Sequence, residues 1–177
     1  MLARRSLLAA GVAAVMPSVA FADRIAPALP PALPALRDVR FEQNGADTTL
    51  SQVLLPGVAS IISFWATWCG PCAIEAQHLG RMRTRIAPAR LNILGVNVDT
   101  RANEIEISRF LQAHHAFYAQ VRGTVEAYAA FGGGNEIMLP RLFVFGRNGR
   151  PVAAFDRYLG EQTERRIDEA VAAAMRS

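Results

Sequence analysis

The sequence predicts an α/β layered fold, a mixed central sheet flanked by helices. Three observations predict it. Val58–Trp65 (VASIISFW) and Asn92–Val98 (NILGVNV) are nearly continuous apolar runs, the mark of strands covered on both faces. Between them, from Cys72 to Ile86, apolar residues recur at Ile74, Leu79, Met82 and Ile86, a helical spacing. Near the end, Leu142–Phe145 and Val152–Phe155 flank Asn148-Gly149 and read as an antiparallel hairpin. Parallel βαβ units therefore come first and an antiparallel pair comes last.

In chain order, residues 1–22 read as a cleavable leader. Arg4 and Arg5 make a basic start, Leu7 to Val15 is a short apolar run, and Ala20-Phe21-Ala22 fits a small-x-small cleavage site. The run breaks at Met16-Pro17-Ser18, short of the ~18–20 residues a membrane span needs. Arg4-Arg5-Ser6-Leu7-Leu8 resembles a twin-arginine export signal. The expected product is periplasmic and not membrane-anchored once the leader is removed. Residues 23–36 carry Pro27, Pro30, Pro31 and Pro34 and predict an extended arm rather than a helix. A single domain is expected over 37–177. It opens with a β region around the turn signal Asn44-Gly45. Glu104–Ala113 is expected to be a helix with Ile105, Phe110 and Leu111 toward the core. Phe117–Val121 then reads as a strand and Thr124–Phe131 as a short helix. Gly132-Gly133-Gly134-Asn135 reads as a loop, and Glu161–Met175 as the closing helix.

Composition narrows the function. The chain of 177 residues is 51% hydrophobic and 19% charged, a globular profile. Its formal charge is +4, and two of those charges sit in the leader. The arginines are scattered, and no helix-turn-helix or zinc-finger spacing appears, so nucleic acid is not an expected partner. There are only two cysteines, Cys69 and Cys72. A pair so close closes too short a loop to add much stability, so its value lies in reactivity or metal binding.

Trp68-Cys69-Gly70-Pro71-Cys72 sits where a strand ends and a helix begins. Unpaired N–H groups and the positive dipole end at a helix start favour thiolate over thiol. Cys69 is expected at the cap and exposed, with Cys72 on the same face one turn deeper, within bridging reach. Pro71 suits a helix start because no N–H is needed there. Cys69 then attacks a partner disulfide and Cys72 resolves the mixed disulfide. Structural zinc would need two more ligands, and the only histidines are His78, His114 and His115. A copper metallochaperone using Cys69, Cys72 and His78 is the alternative from another class. A peroxidase of the peroxiredoxin class would want a lone peroxidatic cysteine in a Pro/Thr loop, which the sequence does not offer. Glu75, on the same helical face as Cys72, reads either as an acid complementing the dipole or as a proton acceptor for Cys72.

Phe64–Cys72 (FWATWCGPC), Glu75, Leu79, Gly95–Asp99, Leu139-Pro140 with Phe143, and Asn148-Gly149-Arg150 together resemble the thioredoxin superfamily. The resemblance spans roughly residues 37–175 and is to the exported TlpA/ResA/CcmG-like thiol–disulfide oxidoreductases. It implies a thioredoxin-like fold with a family-type βα insertion and an N-terminal β region. It also implies a cis Pro140 facing the disulfide and a Leu139 backbone that pairs with substrate main chain. The substrate site it implies comprises Trp68, Gly70, Pro71, Leu139 and Pro140, with no cofactor. The implied partners are exported proteins with a disulfide or dithiol, such as cytochrome c or copper-site clients, and a membrane thiol electron donor. Thioredoxin's buried strand Asp and nearby Lys are replaced here by Ser63 and Gly95, which leaves Glu75 as the only candidate buried acid. Arg141, where a small hydroxyl residue is usual, reads either as a positive charge beside the substrate groove or as an exposed strand residue.

Overall fold

Every residue from Ala59 to Trp65 is buried, and so is every residue from Leu91 to Asn97. Only strands at the middle of a sheet achieve this. In the computed structural model, which describes residues 27–100, 103–134 and 136–177, they are β3 and β4, paired in parallel from Ala59↔Leu91 to Trp65↔Asn97. The leader and the first residues of the arm lie outside the described residues.

Around this pair stand β1 (Arg40–Gln43), β2 (Ala46–Thr49), β5 (Ala119–Arg122), β6 (Arg141–Phe145) and β7 (Pro151–Phe155). The sheet has seven strands in the order β2-β1-β5-β4-β3-β6-β7. It is mixed: β3, β4 and β5 run parallel, and both ends of the sheet pair antiparallel. Asn44 and Gly45 both take positive φ, 54° and 78°, which lets β1 turn tightly into β2.

Period-two alternation gives the sheet two apolar faces. Ile62, Phe64, Leu94, Val96, Phe143 and Phe145 form one core with Tyr128 and Phe131 of the α5 (Val125–Ala130) region. Leu36 of α1 (Leu33–Leu36) and Leu50 of α2 (Leu50–Val53) join that core. Ala59, Ile61, Leu91, Ile93, Leu142 and Val144 form the other, with Leu79 and Met82 of α3 (Gly70–Arg85) and Ile167 and Val171 of α6 (Glu161–Ala174). A third, smaller cluster lies at the C-terminal end of β3 and includes Ile107 and Phe110 of α4 (Glu104–Ala113).

Several sequence expectations are corrected. The arm is not extended throughout: α1 forms one turn, because a proline in the first turn costs no hydrogen bond. The helix α2 was not expected; Thr49 and Gln52 cap it reciprocally. Ile74, Ile105 and Phe117 point to solvent, at 51%, 63% and 66% exposure, while Ile107 is buried in place of Ile105. The first expected part of β5, through Tyr118, is a connection rather than strand.

Candidate functional site

The site is assembled where β3 ends. The peptide after Trp65 turns through Ala66, Thr67 and Trp68 into α3. This turn is pinned from the segment just after β4: the Thr67 N–H donates to the Asp99 carboxylate at 3.2 Å, and the Thr67 hydroxyl donates to the same oxygen. Trp65 is held flat beneath, stacked on Phe110 at 4.6 Å, with its indole N–H donating to Gln120 Oε1 at 3.1 Å. Neither the Thr67–Asp99 contact nor the Trp65–Phe110 stack was anticipated; a polar residue closing an apolar strand, as Asp99 does, was the available signal.

Cys69 is the N-cap of α3, and Pro71 lies in its first turn. Cys69 and Cys72 form a disulfide, with Cα atoms 5.2 Å apart. The Cys72 N–H donates to the Cys69 carbonyl at 3.1 Å and is shared with Cys69 Sγ at 3.3 Å, so a first-turn donor of the helix already points at this sulfur. The expectation that Cys69 is exposed is corrected: it is 5% exposed and Cys72 1%. The reason is the third apolar cluster, in which Trp65, Ala76, Ile107 and Phe110 pack with both cysteines and Leu139 leans against them. Cys69 is still the more open of the two. Gly70, Pro71 and Trp68 are exposed around it.

Glu75 is 2% exposed, which rules out the reading of a surface acid. It faces the sheet, where the Ser63 hydroxyl donates to its carboxylate at 2.5 Å. Burial pushes the Glu75 carboxyl up to about 7, with the Ser63 hydrogen bond opposing in part. A carboxyl with that midpoint can take or give a proton near neutrality. Ser63 was noted in the sequence only as a replacement for a family acid; its role as Glu75's donor was not foreseen.

The Leu139–Pro140 peptide is cis, and Pro140 is buried. It enters β6, which runs antiparallel beside β3 with Arg141 opposite Phe64, so the proline stands next to the turn that carries the cysteines. Arg141 is neither a free charge nor a plain exposed strand residue. Its guanidinium lies 5.5 Å from the Tyr128 ring centroid and 5.3 Å from that of Phe143, and it donates to the Gly132 carbonyl at 2.9 Å.

His78 does not join the cysteines. Its ring nitrogens lie 3.4 Å from a Glu164 oxygen and 3.0 Å from an Asp168 oxygen, both on α6. The predicted copper-ligand role is thereby corrected: six residues past Cys72, the helix has turned this side chain toward a different neighbour. Among the described residues, no group of three or more His, Cys, Asp or Glu side chains converges to hold a metal ion. Nor is any helix among them long and apolar enough to cross a membrane.

A parallel-centred mixed sheet, a Cys-Gly-Pro-Cys disulfide capping the helix after β3, and a cis-proline loop beside it define a thioredoxin-fold dithiol/disulfide protein. The chain belongs to the AhpC/TSA family, whose model matches residues 31–152. Solved structures share the fold. A secreted disulfide oxidoreductase of Mycobacterium tuberculosis, homologous to E. coli DsbE, superposes with a TM-score of 0.63 at 17% identity, covering 79% of this chain and 98% of that one. A thioredoxin-family thiol:disulfide interchange protein of Chlorobium tepidum gives 0.62 at 22% identity, covering 85% and 99%. A secreted thiol-disulfide isomerase of Corynebacterium glutamicum gives 0.64 at 21% identity, covering 80% and 86%.

Proposed function

We propose that the protein is a periplasmic thiol–disulfide oxidoreductase that reduces disulfides in exported client proteins. The observation that carries this reading is the Cys69–Cys72 disulfide at the start of α3, with the buried carboxyl of Glu75 one helical turn beyond Cys72. A dithiol donor, at the membrane by the family resemblance, first reduces the pair. The Cys69 thiolate, favoured by the helix start, then attacks one sulfur of the client disulfide and expels the other as a thiolate. Cys72 gives its proton to Glu75 and attacks Cys69 Sγ. The Cys69–client bond breaks, the client leaves as a dithiol with two added protons, and the Cys69–Cys72 bond re-forms with both electrons passed to the client. Trp68, Gly70 and Pro71 supply the exposed rim against which the client docks. The main chain of Leu139, ahead of the cis-proline, pairs with the client backbone as an added strand. Arg141 bears on the same loop through the Gly132 carbonyl. Assembly clients of cytochromes c or copper sites suit this chemistry, and the names of the secreted structural neighbours support an exported setting.

Both cysteines of the chain belong to the one pair, so no separate peroxidatic thiol is present despite the family assignment. Trapping tests the reading. Cys72→Ala is expected to accumulate mixed disulfides with periplasmic proteins and Cys69→Ala to form none; normal turnover by Cys72→Ala overturns the nucleophile assignment. Equilibration with glutathione is expected to give a potential nearer the ~−270 mV of reducing thioredoxins than the ~−120 mV of strong oxidants. A value at the oxidising end reverses the direction of the proposed reaction.

A further inference from the structure

The dipeptide Leu139–Pro140 is held by a group that belongs to a different core cluster from the cysteines. Tyr128, on α5, is 0% exposed and packs edge-on to Phe64 with centroids 5.4 Å apart. Its hydroxyl accepts the N–H of Met138 at 3.0 Å and donates to the carbonyl of the same residue at 3.0 Å. It also accepts from Arg141 Nη1 at 3.5 Å. A phenol has one proton and two lone pairs, so this one is fully used. Met138 precedes the dipeptide and Arg141 follows it, and a single hydroxyl thus grips both ends of the segment.

The glycines nearby complete the grip. Arg141 Nη2 donates to the Gly132 carbonyl at 2.9 Å. Gly133 lies so close to the Tyr128 ring that a Cβ there would fall 2.2 Å from Cδ1. Gly133 thus allows the close approach to the tyrosine, while Gly132 takes a positive φ of 79°, a conformation that favours glycine.

Resting on the function proposed above, we propose that Tyr128 is a positioning residue for polypeptide substrates: its hydroxyl sets the Met138–Leu139 backbone that receives the client strand beside Cys69. A small disulfide, which pairs with no backbone, does not need this service. A client chain does, because a loosened loop must be ordered again at each encounter.

Tyr128→Phe keeps the ring and removes only the hydroxyl. The probes are insulin, reduced with dithiothreitol as donor, and 2-hydroxyethyl disulfide reacting with the reduced protein. For insulin, kcat/KM is expected to fall about tenfold, carried mostly by KM, as for a lost buried hydrogen bond. The 2-hydroxyethyl disulfide rate and the redox potential are expected to stay at the parent values. Amide hydrogen exchange at Met138 and Leu139 is expected to quicken. Gly133→Ala, whose added carbon displaces the ring, should reproduce the same split between substrates. Equal losses on both substrates, or an unchanged insulin KM, overturn the role of Tyr128 while leaving the oxidoreductase reading in place. Parent protein that never turns insulin over overturns that reading, and the substrate role of Tyr128 with it.

Discussion

Along α3, two carboxylates are treated in opposite ways. Glu75, near the disulfide, is 2% exposed and has one hydroxyl, Ser63, as its donor at 2.5 Å; burial lifts it to about 7. Glu164 reaches the helix from α6 further along. It is surrounded by the Tyr158 hydroxyl at 2.5 Å, Arg81 at 3.0 Å and His78 at 3.4 Å. The Tyr158 hydrogen bond is the largest influence and holds its carboxyl below the usual carboxylate range; burial opposes it, and the charges of His78 and Arg81 add smaller lowering effects. The same side-chain chemistry is thus left under-compensated where the proposed reaction moves a proton and well supplied with donors where two helices are joined.

Glu75→Gln breaks the contrast most strongly. A carboxyl raised from 4.5 to about 7 costs nothing when protonated in both the folded and unfolded chain, and costs most when ionised in both. The parent's relative stability is therefore full below pH 4.5 and lost as pH rises through about 7. In oxidised protein, Glu75→Gln is expected to match the parent at pH 4 and to exceed it by about 3 kcal/mol at pH 8. Urea unfolding at the two values checks this, and a gap independent of pH removes ionisation as its cause. The same substitution is expected to slow resolution of a preformed mixed disulfide by about 100-fold.

Glu164→Gln tests the other side of the comparison. Its lowered carboxyl contributes stability that is present above the unfolded value and lost as pH falls through the folded one. A loss of about 1 kcal/mol is expected at pH 7, disappearing in acid, with insulin turnover unchanged. The smallest effect belongs to Arg81→Ala. Its side chain is 54% exposed, so the loss is expected near ~0.5 kcal/mol and should vanish in 1 M salt. A larger, salt-resistant loss would show that Arg81 does more than pair on the surface.

What the sequence made legible were features written in neighbouring residues. The strands β3 and β4 are continuous apolar runs, α4 is bounded as expected from Glu104 to Ala113, and the cysteine pair carries its own helix start. Contacts joining distant parts of the chain were not legible. Nothing local to Tyr128 points to Met138, and nothing local to His78 points to Asp168, 90 residues away. Periodicity marked Ile74 and Ile105 as core because spacing says that a helix has an apolar stripe, not which of two adjacent turns meets a neighbour. Exposure of Cys69 was misjudged for a similar reason. Its cover comes from Ile107 and Phe110 of α4 and from Leu139, all remote in sequence.

The clasp between α1 and the β6–β7 turn has a practical consequence. The Leu33 N–H donates to the Gly149 carbonyl at 2.8 Å, and Pro34 packs against the same glycine. This anchor lies at the end of the sheet where β3 starts, about 20 Å along the strand from the turn that carries Cys69. A linker fused ahead of Leu33 therefore departs from the rear of the molecule. Beads, sensor chips or pulling handles attached there leave the reactive end facing the bulk, where a large folded partner can reach it.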